Sequence, residues 1–235
     1  TGAVNEKGFY AGLTMKFDPK WELITYSDLF RFPWLKFRVD APSSGYELFG
    51  QLSYNPNKRF KMSARYKQQS KEENNDQLNS LGSLESVDKQ NYRLEINYKI
   101  GDAFMLRYRA EIAQYKKDPS KSEFGFLSYQ DVIYDPLNSK LSGNIRFAIF
   151  DMQGFNSRIY AYENDVLYSY SVPAYQGRGL RYYLNARYNI SRGLDLWLRY
   201  AIISYSNPPG LNTGSEKAGR ADIRFQLRYR FNHVL

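Results

Sequence analysis

Cysteine is absent from this chain, and histidine occurs once, at His233. Without thiols there are neither disulfides nor thiolate metal sites. A single histidine near the end of the chain gives no support to metal ligation by His or Cys, nor to proton transfer through imidazole. Long apolar runs are missing too. No stretch approaches the roughly 20 residues that a membrane-spanning helix needs, and mean hydropathy is only −0.63. A helical membrane protein is therefore excluded. Thr1 to Lys7 lacks the apolar core of a signal peptide, so any export signal is expected upstream or already removed.

What is abundant is aromatic side chain: 22 Tyr, 15 Phe and 3 Trp make up 17% of the 235 residues. Such a chain has enough surface to bury and is expected to fold. Lys and Arg total 33 against 24 acidic residues, a net charge of +9, which points first to a polyanionic partner.

The apolar residues recur at every second position. Ala221, Ile223, Phe225, Leu227, Tyr229 and Phe231 alternate with Arg220, Asp222, Arg224, Gln226, Arg228 and Arg230. Leu180, Tyr182, Leu184, Ala186, Tyr188 and Ile190 repeat the pattern, as do Tyr92, Leu94, Ile96, Tyr98 and Ile100. Period two means strands with one apolar and one polar face. These stretches exceed the usual 5–6 residues of globular sheets and match the roughly 9–11 residues of a tilted strand crossing a bilayer. Aromatic residues at the strand ends fit the girdles of a membrane barrel. The expected fold is all-β: a transmembrane, antiparallel, up-and-down β-barrel in a bacterial, Gram-negative outer membrane. A soluble sandwich or lipocalin-like barrel is the competing reading.

Connections alternate in length. Short ones fall at Asp18-Pro19-Lys20, Asn55 to Lys58, Gly101-Asp102, Asp135 to Ser139 and Ser191-Arg192-Gly193. Long or polar ones fall at Leu29 to Gly45, Gln69 to Gln90, Lys116 to Ser122 and Ser206 to Ala218. With short turns periplasmic and long loops outside, strands 8–17, 46–54, 91–100, 123–134, 179–190 and 219–231 run inward. Strands 21–31, 59–68, 103–115, 140–150 and 193–205 run outward. The remaining stretch is assigned as a hairpin, arms 156–163 and 166–172, turning at Asn164-Asp165. That gives about 13 strands, an odd number starting outside. Bacterial barrels have even counts, so residues 1–231 are expected to be the C-terminal part of a barrel of 14 or more strands. Residues 232–235 are expected to form a short periplasmic tail.

Phe225, Leu227, Tyr229 and Phe231 end the last strand in the manner of the signal strand read by the barrel assembly machinery. Two further stretches carry a family resemblance: Asp28-Leu29-Phe30-Arg31-Phe32-Pro33-Trp34-Leu35-Lys36-Phe37-Arg38-Val39-Asp40-Ala41-Pro42-Ser43 and Ser171-Val172-Pro173-Ala174-Tyr175-Gln176-Gly177-Arg178-Gly179-Leu180-Arg181-Tyr182-Tyr183. Both resemble the C-terminal barrel region of Bacteroidota helix-hairpin-helix outer-membrane proteins. In that family an N-terminal section bears repeats that grip the DNA backbone. No such repeat stands in this sequence, so DNA as a partner is implied by resemblance only, and no DNA-binding residue carries over.

Pro33 cannot donate to a ladder and is expected to mark a strand end. Phe32, Pro33 and Trp34 would then sit at the outer rim, as an interfacial anchor or as a partner contact. Gly177-Arg178-Gly179 lacks the strand-to-helix setting of a phosphate-binding loop and is read as a turn. Glu72, Glu73 and Asp76 could offer oxygen ligands to a divalent cation, although a solvated charge run in a polar loop explains them as well. His233 lies beyond the final strand. No catalytic residue, metal ligand or cofactor is expected.

The polar faces are rich in arginine: Arg65, Arg93, Arg107, Arg109, Arg146, Arg187, Arg199, Arg224, Arg228 and Arg230, joined by Lys61, Lys67 and Lys99. Fewer acids share those faces, among them Glu95, Glu111, Asp195 and Asp222. Such a lumen would bias passage toward anions and attract a polyanion such as DNA or an acidic polysaccharide. Cross-strand pairing that stiffens the wall is the competing account. The function expected is a porin-like pore with a basic lumen. Its alternative is a non-transporting structural subunit of a larger membrane complex, its lumen plugged. Expected partners are membrane lipids and lipopolysaccharide, the assembly machinery, and other outer-membrane proteins or lipoproteins.

Overall fold

The structure, a computed structural model, describes residues 5–37, 39–75, 83–117, 121–207 and 219–231. Among them there is no helix. The strands are β1 (Lys7–Asp18), β2 (Trp21–Phe32), β3 (Ser43–Asn57), β4 (Phe60–Asn74), β5 (Leu84–Ile100), β6 (Phe104–Lys117) and β7 (Glu123–Tyr134). They continue with β8 (Leu141–Met152), β9 (Ile159–Tyr160), β10 (Ala174–Tyr175), β11 (Arg178–Ser191), β12 (Leu194–Asn207) and β13 (Gly219–Tyr229). Eleven form one antiparallel up-and-down sheet, each strand beside its sequence neighbour except that β8 pairs with β11. β9 and β10 form a separate two-stranded ladder. Among the described residues β1 and β13 are the free edges, so the sheet is open there.

The register turns the sequence alternation into two chemically opposite faces. Leu23 pairs with Leu52, Ile145 with Val132 and Leu184, and Leu198 with Phe225 and Ala186. On the other face Arg146 pairs with Asp131 and Tyr183, and Arg199 with Arg224 and Asn185. The burial is the reverse of a water-soluble protein's. Ile145 is 55% exposed while its neighbour Arg146 is 1% exposed. Outer-face rings gather where the connections are short: Trp21 against Tyr54, Tyr54 against Phe60, Phe60 against Tyr98, and Phe104 against Tyr134. A second set, Tyr66 with Tyr92, stands about 20 Å along the strand from the first, at about 3.4 Å per residue.

Two expectations are corrected. The polar stretch 69–90 is not all loop: β4 continues to Asn74 and β5 begins at Leu84, with Glu72 and Glu73 paired opposite Ser86 and Glu85. Hydrogen-bonded ladders extend past the apolar zone because the backbone must be satisfied whether or not a face is apolar. The larger correction concerns the hairpin assigned to 156–172. It is not part of the wall. Asp151 pairs with Arg178, and the Met152 amide donates to the Gly177 carbonyl at 2.8 Å, closing the sheet behind residues 153–177. That segment folds onto the inner face instead. The reason lies in its side chains: Ile159, Ala161, Glu163 and Tyr175 are buried on one side while Tyr160 and Tyr162 stay exposed.

The inserted segment shows that the sheet is concave. Residues 158–160 share one cleft with Tyr26 on β2 and Phe49 on β3, and Asp165 binds Arg224 on β13. In a flat sheet, β2 and β13 would lie about 40 Å apart at about 4.8 Å per strand. A stretch from Arg158 to Asp165 spans less than about 28 Å even fully extended. The wall must therefore wrap around it.

Candidate functional site

Three layers dock the inserted segment. The first is apolar. Ile159, Ala161 and Tyr175 pack with Leu127, Ala148, Phe150 and Ile203, and the Tyr175 ring meets Phe150 edge-on at 5.3 Å. Gly125 makes the approach close enough: a Cβ there would collide with the Ser157 carbonyl and the Met152 sulfur.

The second layer is ionic and comes from the segment's own carboxylates. Glu163 accepts from Arg199 Nη2 at 2.6 Å, from Arg181 Nε at 2.6 Å and Nη2 at 2.8 Å, and from the Tyr175 hydroxyl at 3.0 Å. Asp165 takes Arg224. Burial and the adjacent Glu163 charge push the Tyr175 phenol well above its ordinary value, so it stays a donor. Backbone carbonyls form the third layer. Tyr162 accepts from Arg146 Nη1 at 2.7 Å, Asn164 from Arg199 Nε at 3.2 Å, and Tyr160 from Arg109 Nη2 at 3.4 Å.

The remaining inner-face arginines are held by carboxylates of the wall. Arg146 donates to Asp131 through Nε and, at 2.7 Å, through Nη2, with its guanidinium 3.6 Å above the Tyr129 ring. Arg107 reaches the same Asp131 at 3.6 Å. Glu111 collects Arg93 at 2.8 Å and Arg109. Asp195 is shared by Arg187 at 2.9 Å, Arg228, and Arg230 at 3.8 Å. For these residues the cross-strand pairing account describes the geometry. Arg65 differs. Its Nε and Nη2 both donate to the neutral Gln51 amide oxygen, at 2.9 and 2.7 Å.

The wall is therefore asymmetric. From β6 to β13 the inner cations are matched by acids, two of them delivered by the segment. Along β4 and β5, Arg65, Lys61, Lys89 and Lys99 make no ion pair among the described residues. A cleft of about 560 Å³ at the short-turn end is lined by Lys58, Arg59, Lys61 and Lys99, with asparagines but no acidic residue.

At the opposite end, Phe32 closes β2 and Pro33 follows it, as a strand-ending proline should. Trp34 and Phe37 are 72% and 88% exposed, on a finger tied by the Lys36–Val39 backbone bridge. Phe225, Leu227, Tyr229 and Phe231 all point outward from the last strand, and the Arg230 amide adds one rung by donating to Gly193. His233, Asp76 and the tail 232–235 lie outside the described residues. Glu72 accepts from the Ser44 amide at 2.7 Å, and Glu73 meets Lys71 at 2.7 Å. Among the described residues no group of three or more His, Cys, Asp or Glu could hold a metal ion.

Sequence reasoning missed Glu163, Asp165 and Arg158 as interior residues. The available signal was a carboxylate in phase with Ile159 and Ala161, on arms too short to span.

No family model matches the chain, and no curated protein does. Among solved structures it is similar to the Pseudomonas putida toluene transporter TodX, with TM-score 0.38 and 9% identity, over 95% of this chain and 67% of that one. The translocator domain of the autotransporter NalP from Neisseria meningitidis gives TM-score 0.31 and 10% identity, over 96% and 80%. LpxR from Salmonella typhimurium gives 0.29 and 7%, over 95% and 88%. The architecture of this chain rests on its own strand pairing: an all-β, antiparallel, up-and-down sheet with an arginine-rich concave face and an inserted, ion-paired segment.

Proposed function

We propose that this chain is the wall of an outer-membrane β-barrel that passes small anions along its β2–β5 side, the β6–β13 side being filled by the inserted segment. The inverted burial supports the membrane: contiguous exposed apolar side chains flanked by two aromatic belts suit lipid, whereas a monomeric soluble protein rarely exposes large apolar patches. The charge asymmetry carries the anion preference. Lys61, Lys99, Arg65 and Lys89, without an ion pair among the described residues, stand in series on β4 and β5, and a row of like charges biases what passes. The resemblance to Bacteroidota outer-membrane proteins agrees with the location. Reconstitution in planar bilayers tests the reading: anion-selective conductance is expected, with the reversal potential shifting toward cations in Lys61→Glu/Lys99→Glu. Cation selectivity, or a shift in the opposite sense, would overturn it.

A second reading has its own observation. The exposed Trp34 and Phe37 on the rim finger favour a scaffold subunit docked to another outer-membrane protein. Its signature would be a stoichiometric complex after mild detergent extraction that Trp34→Ser/Phe37→Ser dissolves.

A further inference from the structure

A cleft of about 320 Å³ lies between the inserted segment and the β2–β5 wall, lined by Tyr26, Phe49, Arg65, Lys89, Arg158 and Tyr160 among others. Two of its cations are already matched: Lys67 by Glu47 at 2.8 Å and Arg93 by Glu111 at 2.8 Å. Three are not. Arg65 has the Gln51 amide oxygen and the Phe49 ring, 5.5 Å from its guanidinium, but no carboxylate among the described residues. Arg158 donates Nε to the Tyr160 hydroxyl and Nη1 to the Phe155 carbonyl, both at 2.7 Å, and meets no carboxylate among the described residues. Lys89 is half-buried and makes neither a side-chain hydrogen bond nor an ion pair among the described residues. Arg65 Nη1, Arg158 Nη2 and the Lys89 ammonium are left as unspent donors from two strands and the segment.

Gathering like charges in a partly buried cleft is unfavourable unless an anion compensates them. Along β6–β13 the inner cations are matched by carboxylates; here the carboxylate that lines the cleft, Glu111, is already held by Arg93 and Arg109. We infer that the Arg65–Lys89–Arg158 cleft binds the phosphate of a small, ring-bearing phosphomonoester. Three donors lining one cleft from separate elements suit a group with three terminal oxygens better than a planar carboxylate with two. Aromatic side chains line the same cleft for the organic ring: Phe49 and Tyr26, stacked on each other at 4.8 Å and 8°, and the half-exposed Tyr160. The cleft is at the small end of ligand-binding pockets, too small for a polymeric anion to be enclosed. The inference rests on the conduit reading for access of the solute. Binding in detergent needs no conduction, so the two fail separately.

Titration calorimetry of the purified, detergent-solubilised protein tests it, with inorganic phosphate, phenyl phosphate and benzoate as probes. Phenyl phosphate is expected to bind tightest, inorganic phosphate more weakly and benzoate weakest. Lys89→Gln and Arg158→Gln should each weaken phenyl phosphate by about tenfold, the scale of one charge-assisted hydrogen bond. Neither residue anchors the segment, so the thermal transition should not move. Binding of inorganic phosphate equal to phenyl phosphate would remove the ring from the proposal. Benzoate binding as tightly as phenyl phosphate, no binding by either phosphate, or undiminished affinity in both variants would overturn it.

Discussion

Glu163 and Arg199 meet across the interface between the inserted segment and the wall, Oε2 to Nη2 at 2.6 Å, with both side chains almost wholly buried. Arg181 shares the same carboxylate. Removing the acid while the segment still covers the site takes from Arg181 the carboxylate that holds it and leaves buried Arg199 with Asp222 at 3.3 Å and Asp165 at 3.7 Å. Breaking a buried pair from one side costs about 3–5 kcal/mol. Glu163→Ala should therefore lower the unfolding midpoint in detergent strongly. Glu163→Gln keeps one acceptor oxygen and puts an NH2 donor in place of the other, so it should fall between. Equal stability of all three proteins would show that the segment is not held where the geometry places it.

Gly125 tests the same docking by shape rather than charge. Its position on β7 faces the Ser157 carbonyl so closely that a side chain cannot be added without moving backbone. Gly125→Val should displace the segment while leaving the outer face intact. The expected readout is new protease cleavage within residues 153–177 at an unchanged far-UV spectrum. Continued protection of that segment would contradict the contact.

How much of this was legible beforehand follows from which physical signal each part carries. The lipid-facing strands announce themselves because one face must be apolar and the other polar, residue by residue. The expected strand 123–134 coincides with β7, and 219–231 contains β13. Where β4 and β5 run past that zone, Gln69 to Asn74 are polar on both faces, so the period-two signal disappears although the ladder persists. The inserted segment misleads in the opposite way. Ile159, Tyr160, Ala161 and Tyr162 alternate like a wall strand, but the alternation serves docking: Ile159 and Ala161 pack on Leu127 and Ala148. Arginines were readable as an inner face. That Glu163 and Asp165 neutralise one side of it was not, because the partners are separated by long stretches of chain.

The outer face gives a prediction that separates membrane from water. Ile145 stands mid-strand on β8 between Val132 and Leu184, and 55% of it is exposed. In a bilayer, Ile145→Arg should cost about 2–4 kcal/mol, the range for arginine on the lipid face near the midplane. For a water-soluble sheet the same change would be close to neutral, as surface substitutions usually are. Equilibrium unfolding from liposomes measures the difference, and a cost within about 0.5 kcal/mol of zero would argue against the lipid-facing assignment.

Excising the inserted segment should be tolerated better than the single change at Glu163, and the reason is hydration. Because Asp151 already pairs with Arg178 and the Met152 amide reaches the Gly177 carbonyl, β8 and β11 need only a short turn to close them. Without residues 154–176, Arg146, Arg181, Arg199 and Arg224 face an open lumen, where water solvates the charges that Glu163→Ala would strand in a dry interface. The sheet should therefore assemble. With Glu163 and Asp165 gone, the β6–β13 side becomes cationic as well, so single-channel conductance should rise and anion selectivity should strengthen together. A rise in conductance with unchanged selectivity would mean that the segment only blocks space. An unchanged conductance would mean that it does not lie in the path of ions at all.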